Sequence, residues 1–464
     1  MAATPETVYA VQPLTVFKAA AACYDSTGTL VGNSAPVTYL GSRSFVIPAG
    51  VIEFFSDKML PSAFGLSSFP IGGFIDYRHV YTLPIGLASP TSGQTYDASQ
   101  TWNLADGWTD DIDGTGVMVA GSTNASGGAI TFPNYAVADN LPAGFNTLLI
   151  IGDSIDYRQD DIGGLGFIYD GGGVKKRAAK ARNLPYMCMA QGGRTWGMQS
   201  TSNLCAQIYR RFNCADISLG TNDIAFATTL NTISANVDAV LSRLRSAGHI
   251  WIGVQTIPPR TNEDGDITNA NNLYACTDQS HQTAYYTQAR VANGFASDGY
   301  GFGAGETRDQ YNTVTLPAKL SGGSIDSLFE FAFYCQDGTT TWKWKAPTLS
   351  TTLHAAISAN ATSCSLNATP TQFDNLVFEP GISNIDVGSQ GGPHAWSITG
   401  SGPYVVSLQT MNSYTNSSNG ILPAKAHTIN TGVKNTFSPD GTHPSTLPIL
   451  AALSAKTTQY SALA

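Results

Sequence analysis

The sequence predicts an α/β fold built on a doubly wound parallel sheet, with a β-rich domain before it and a small β module inserted late. Three observations predict it. Short continuous apolar runs, each ending in Gly, Asn, Asp or Pro, recur from Asn146 onward. A helical stripe lies between two of these runs. The stretches on either side alternate apolar and polar residues between closely spaced turn formers instead.

Residues 1–140 read as short strands between turns: "SRSFVIPAGVIEFF", "YRHVYTLPIG" and "TGVMVAG" hold β-branched and aromatic runs punctuated by Gly and Pro. The α/β domain spans 141–346 plus 434–464. Its candidate strands are "NTLLIIGDS", "LPYMCMAQGG", "CADISLGTND" and "HIWIGVQTIPP", continuous apolar runs of the kind that a sheet covered on both faces requires. Between the third and fourth, Ile233, Val237, Val240, Leu241 and Leu244 fall on one helical stripe, and Gly248 follows as a C-cap. A further helix is expected from Gln282, and another after Pro444, its first turn weakened by Pro448. The inserted module covers 347–433, where "TTLHAAISANATSCSLNATP" is rich in Ser, Thr and turn residues.

Composition narrows the function. At 464 residues the chain exceeds one ordinary core, and 42% apolar against 12% charged residues argues against disorder. A net charge of -9 argues against nucleic acid and anionic membrane as partners. The basic cluster "KKRAAKAR" (175–182) is expected on the solvated face of a helix. Seven dispersed cysteines with no CxxC pair give neither a zinc site nor a disulfide framework, so no metal and no cofactor are expected. "MAATPETVYAVQPL" lacks the basic and apolar regions of a secretory signal, and no run is long enough to span a bilayer. The expectation is a soluble protein.

Ligands of a doubly wound sheet bind at the carboxyl ends of its strands. Those ends here carry Ser154, Gly192-Gly193 and Gly220-Thr221-Asn222-Asp223, while "SPDGTHPS" adds Asp440 and His443. A hydroxyl, an imidazole, a carboxylate and hydrogen-bond donors are the set that acyl transfer through serine needs. The Gly-containing turn from Asp440 to His443 lets one loop present both side chains. Asp223 reads as a brace of its turn, and the other six histidines as structural.

Four blocks in order, "GDSI", "GGRT", "GTND" and "DGTHP", resemble those of the SGNH hydrolase (GDSL-type esterase) family, over about Asn146 to Pro259 plus Asp440 to Ser445. The resemblance implies a flavodoxin-like sheet with Ser154 as nucleophile, His443 as general base and Asp440 as its orienting carboxylate. It also implies an oxyanion hole made by the Ser154 and Gly193 backbone N–H groups and the Asn222 amide. "GDSI" in place of "GDSL" exchanges one apolar residue for another. Gly193 is chosen over Gly192 because it stands two before Thr195.

Asp156, Tyr157, Arg158, Arg194 and Trp196 lie beside these blocks, and aromatic plus polar residues suit a sugar ring. The Gly/Thr-rich flanks resemble modules of phage tail proteins. The expected function is therefore a serine esterase removing O-acetyl groups from a carbohydrate or polysaccharide, set in a phage tail or otherwise cytoplasmic, with homo-oligomeric or virion assembly partners. A lipase or thioesterase acting on other esters, and a non-catalytic glycan-binding virion module, are the competing readings.

Overall fold

The computed structural model describes residues 14–25, 29–48, 55–70, 73–82, 144–157, 173–190, 192–263, 282–285, 301–346, 348–358, 361–369, 376–378, 394–409, 426, 428–435, 437–438 and 442–463. The chain divides into two compact units. Met1–Leu141, Ser202–Gln207 and Tyr414–Asn416 make the first; the remaining residues make the second.

In the first unit the long strand β1 (Leu14–Tyr24) pairs antiparallel with β2 (Leu30–Pro36) at one end and β3 (Phe45–Ile47) at the other. Along its opposite edge runs β4 (Phe74–Thr82). Ala19, Ala21 and Cys23 point to one face at the two-residue period of a strand and pack with Val37, Phe45 and Phe64. The expected strand at "TGVMVAG" lies outside the described residues.

The second unit begins with β5 (Leu148–Gly152), α1 (Ser154–Tyr157), α2 (Val174–Ala181) and β6 (Tyr186–Cys188). There follow α3 (Trp196–Thr201), α4 (Asn203–Tyr209), most of which belongs to the first unit, β7 (Cys214–Ser218), α5 (Thr221–Ala225), α6 (Leu230–Ser246) and β8 (Trp251–Gln255). Next come the antiparallel pair β9 (Thr261–Glu263) and β10 (Gln282–Ala284), then α7 (Thr307–Gln310), α8 (Leu316–Ser321), β11 (Ser327–Phe329) and α9 (Phe331–Cys335). The stretch from Gln282, expected as a helix, therefore starts as a strand. Its three residues find backbone partners on Thr261–Glu263, and that pairing overrides local helix preference.

The sheet order is β11-β8-β7-β5-β6, and every pair in it is parallel. Counted along the chain this is 2-1-3-4-5, the flavodoxin-like doubly wound order. All five residues of β5 and of β7 are buried, as central strands between two helical layers must be. On α6 the buried residues are Ile233, Val237, Val240, Leu241 and Leu244. Thr229 caps its start, and Gly248, at φ +97°, ends it in the left-handed region.

The inserted module holds two antiparallel sheets. β12 (Thr348–Thr352), β14 (Leu376–Phe378) and β17 (Gly432–Asn435) form one in the order β12-β17-β14; β13 (Ser363–Leu366), β15 (His394–Thr399) and β16 (Tyr404–Gln409) form the other in the order β13-β16-β15. Leu353, Cys364, Leu366, Val406 and Val433 make their common core. The chain then returns to the α/β layer through α10 (Thr446–Gln459). Pro448 falls at the third position of α10, where no backbone N–H has an intrahelical partner to lose, so the helix forms with Ser445 as its cap. No helix among the described residues is long and apolar enough to cross a membrane.

Candidate active site

A 2-1-3-4-5 sheet reverses its winding between the first and third strands, and the crevice opens at their carboxyl ends. Here those strands are β5 and β7. β5 delivers Ser154 and β7 delivers Asn222 to the same edge.

Ser154 is the first residue of α1. The preceding Asp153 caps that short helix, its Oδ1 accepting the Ile155 N–H at 2.9 Å. Gly152 is required by packing: a Cβ there would stand 2.5 Å from the Asp156 Cβ. Absence of a side chain lets the strand turn directly under the first helical turn.

Gly220 begins the third block at φ +122°, a conformation reserved for glycine, and a Cβ on it would meet the Ile257 Cδ1 at 2.5 Å. This turn starts α5. The Asn222 amide donates to the Arg194 carbonyl at 3.1 Å and, more loosely, to Asp153 Oδ2 at 3.4 Å. Asp223 points the other way and accepts the Trp196 N–H at 2.9 Å, tying the third block to the start of α3. Burial pushes the Asp223 carboxyl up to about 6, against the backbone N–H groups that it accepts. Gly193 lies at φ +76° with open space above its Cα.

His443 reaches this crevice from the loop before α10. Its Nε2 stands 2.7 Å from the Ser154 Oγ, with both residues more than nine-tenths buried. A serine hydroxyl bonded to an imidazole nitrogen is an activated nucleophile. The second unit has a flavodoxin-like, doubly wound α/β fold. Within it Ser154, His443 and Asn222 converge at the switch point, whereas Asp440 lies outside the described residues.

No family model matches the sequence, and no curated protein matches it. Among solved structures the chain is similar to a putative lipolytic protein of the G-D-S-L family from Desulfitobacterium hafniense, with 11% identity, 42% of this chain and 82% of the other covered, and a TM-score of 0.28. A possible lipase from Chitinophaga pinensis has 16% identity over 68% of this chain and 98% of its own, at a TM-score of 0.32. A catalytic mutant of an acetylxylan esterase from Geobacillus stearothermophilus has 16% identity over 40% and 78%, at 0.25.

Beneath this crevice lies a buried ionic cluster that sequence reading missed. Lys175 Nζ is 2.8 Å from Asp156 Oδ2, 2.7 Å from the Ser218 hydroxyl and 3.4 Å from Asp216 Oδ1. Asp216 is held in turn by Lys456 and by the Tyr460 hydroxyl, which donates to it at 2.7 Å. Two carboxylates thus face two ammonium groups inside the sheet layer, the balance that buried charges require. Burial works against the charge of each. The two carboxylates nevertheless hold the Lys175 pKa above its ordinary value, and Lys175 and Lys456 hold Asp216 below its own. Lys456 is the loser, pushed down to about 8 by burial.

The cluster corrects two expectations. Lys175, Lys176 and Arg177 are buried, so the start of "KKRAAKAR" does not supply a solvated face; Asp156 and Asp216 draw Lys175 inward. Asp156, expected to touch substrate, is 3% exposed and committed to Lys175 and Ser218. A signal was present, since an aspartate inside the buried strand "CADIS" demands a counter-charge.

Arg194 and Trp196 also turn inward. Trp196 is fully buried under Gly220, and the Arg194 Nε donates to the Gln199 side chain. Both serve the junction of the second and third blocks instead of lining the cleft. Tyr157 ends α1, and Arg158 lies outside the described residues.

Burial lifts the Asp153 carboxyl to about 7, opposed by its Ile155 bond; Asp156 adds to the lift, and His443 and Lys175 pull it back. Among the described residues no group of three or more His, Cys, Asp or Glu side chains is placed to hold a metal ion.

Proposed function

We propose that the protein is a serine ester hydrolase that removes acetyl groups from a carbohydrate. One observation carries the hydrolase reading: the 2.7 Å hydrogen bond between His443 Nε2 and Ser154 Oγ, made at the switch point of a doubly wound sheet. In this reading His443 takes the hydroxyl proton as Ser154 attacks the ester carbonyl, and a tetrahedral intermediate forms. Its oxyanion is met by the Ser154 and Gly193 backbone N–H groups and by the Asn222 amide, which turns its looser hydrogen from Asp153 to the substrate. The intermediate collapses, His443 returns the proton to the leaving sugar hydroxyl, and an acyl-serine remains. Water, deprotonated by the same imidazole, then releases acetate and restores Ser154. Asp440 would orient the ring from its own loop. The chemistry needs no cofactor.

Support for a carbohydrate acceptor comes from the architecture around the site. The inserted β module leaves the α/β layer after Lys345 and returns at Phe437, six positions before the catalytic imidazole, and in this reading it walls one side of the cleft. Such a wall suits an extended polymer. The β-rich flanks also favour a virion tail as the setting, and immunogold labelling of particles would test that placement.

The test of function is an ester series on wild type and Ser154→Ala together. Acetate released from acetylated polysaccharide and an acetyl optimum among p-nitrophenyl esters support the reading. An octanoyl or longer optimum would make the protein a lipase. Activity equal in wild type and variant would remove Ser154 from the chemistry, and no turnover of any ester would leave a glycan-binding module.

A further inference from the structure

We propose that Lys345 and Phe333 form a subsite for a carboxylate-bearing sugar residue beside the catalytic loop, so that the acetylated polymer is a polyuronate. The inference rests on the esterase reading and names its substrate class.

β11 runs parallel to β8, so its carboxyl end opens on the same edge as Ser154 and Asn222. α9 starts at once beyond that end and presents Phe333, whose side chain is 65% exposed. The next residue, Tyr334, meets it edge-on at 5.4 Å and stacks on Phe329 at 6.1 Å. Phe333 is thus a ring anchored from behind with a free face outward. An exposed aromatic of this size with a supported back is a stacking platform.

Lys345 completes the site. After α9 the chain makes a tight reversal, with Lys343 N–H donating to the Thr340 carbonyl and Asp337 N–H to the Lys343 carbonyl, both at 2.9 Å. Lys345 N–H then bonds the Cys335 carbonyl at 2.9 Å, which fixes its backbone against α9. Its ammonium lies 5.4 Å from the Phe333 ring and 5.7 Å from the Phe437 ring. Two aromatic faces hold the cation, and no carboxylate among the described residues pairs with it. Phe437 opens the catalytic loop: its carbonyl accepts the Ser445 N–H at 3.0 Å, closing the segment that carries His443. A pre-positioned cation without an acidic partner among the described residues, beside an exposed aromatic ring, fits a sugar ring that bears a carboxylate.

Distance sets the ligand size. β5 and β11 are separated by three strand spacings, about 14 Å. A small acetyl ester bound at Ser154 cannot span that gap, whereas a chain of linked sugars can. The subsite therefore acts on polymers and is silent toward p-nitrophenyl acetate.

The experiment compares an O-acetylated polyuronate with the same polymer after its carboxyl groups are reduced to alcohols, reading acetate release for wild type, Lys345→Met and Phe333→Ala. Wild type is expected to favour the charged polymer by about fivefold in kcat/KM, a preference that shrinks in high salt. Lys345→Met should abolish the preference. Phe333→Ala should slow both polymers several-fold. All three proteins should turn over p-nitrophenyl acetate equally. Acetate release from both polymers by wild type without preference, or a preference that survives Lys345→Met, overturns the subsite while leaving the esterase reading intact. Turnover of p-nitrophenyl acetate with neither polymer touched overturns the subsite and the carbohydrate reading together, and loss of p-nitrophenyl acetate activity in wild type defeats the esterase reading itself.

Discussion

His443 Nε2 and Ser154 Oγ are joined by a 2.7 Å hydrogen bond across 289 positions of sequence. Nothing local makes that contact; it exists because β5 and the loop before α10 end at one crevice. If the two act as a unit, Ser154→Ala and His443→Ala should each lower kcat on p-nitrophenyl acetate by at least about 10³-fold, and the double variant should be no worse than either. Losses that multiply would mean that the two residues work independently.

Gly152 and Gly193 are glycines for different reasons, which alanine separates. At Gly152 a methyl group would collide with Asp156, so Gly152→Ala should lower stability by about 2 kcal/mol and reduce kcat as α1 is displaced. At Gly193 the space is open and only the φ of +76° resists, so Gly193→Ala should lower stability by about 1 kcal/mol. Urea unfolding of both variants measures the contrast, and equal losses would contradict it.

Removing one charge from the buried cluster leaves its partners uncompensated. Lys175→Met should destabilise by about 3–5 kcal/mol. Adding Asp156→Leu restores the balance, because Asp216 and Lys456 still face each other, and should recover about half of the loss. A double variant less stable than Lys175→Met would show that charge balance is not what the cluster supplies.

His249 predicts an acid limb. It is buried, and its ring Nε2–H donates to the Tyr209 carbonyl at 2.9 Å. Burial, opposed by that bond, lowers its pKa from 6.5 to about 4. The folded state holds the neutral ring, so this contribution is complete above pH 6.5 and is lost as pH falls toward 4, where the unfolded chain has already taken its proton. The loss between pH 7 and pH 4.5 is about 2 kcal/mol. His249→Gln should flatten that part of the stability curve in urea titrations; an unchanged slope would assign the acid sensitivity elsewhere.

Periodicity made much of the fold legible. The α6 stripe from Ile233 to Leu244 needs only a 3.6-residue repeat to be read, and β5 announces itself as an unbroken apolar run. Ser154 and Asn222 were legible because they follow the carboxyl ends of β5 and β7, and His443 because it stands just before a helix. Orientation was not. Asp156, Arg194 and Trp196 stand next to the right blocks in sequence, yet face inward, because whether a residue beside a turn looks out or in depends on partners far along the chain. The same blindness hid Lys175: its counter-charges lie 19 positions back at Asp156 and on a separate strand at Asp216. Gln282 misled because three residues of strand pairing outweigh a helical pattern that local sequence suggests.

The pairing of Asp216 with Tyr460, 244 positions apart, has a consequence for how the protein is made. A ribosome that has just released β7 must add well over two hundred more residues before Lys456 and Tyr460 emerge, on the order of ten seconds to a minute at ordinary translation speed. Throughout that interval the nascent sheet carries two carboxylates, Asp156 and Asp216, against the single ammonium of Lys175, because Lys456 has not yet been synthesised. Nascent-chain protease protection should therefore appear in the catalytic unit only once α10 has left the exit tunnel.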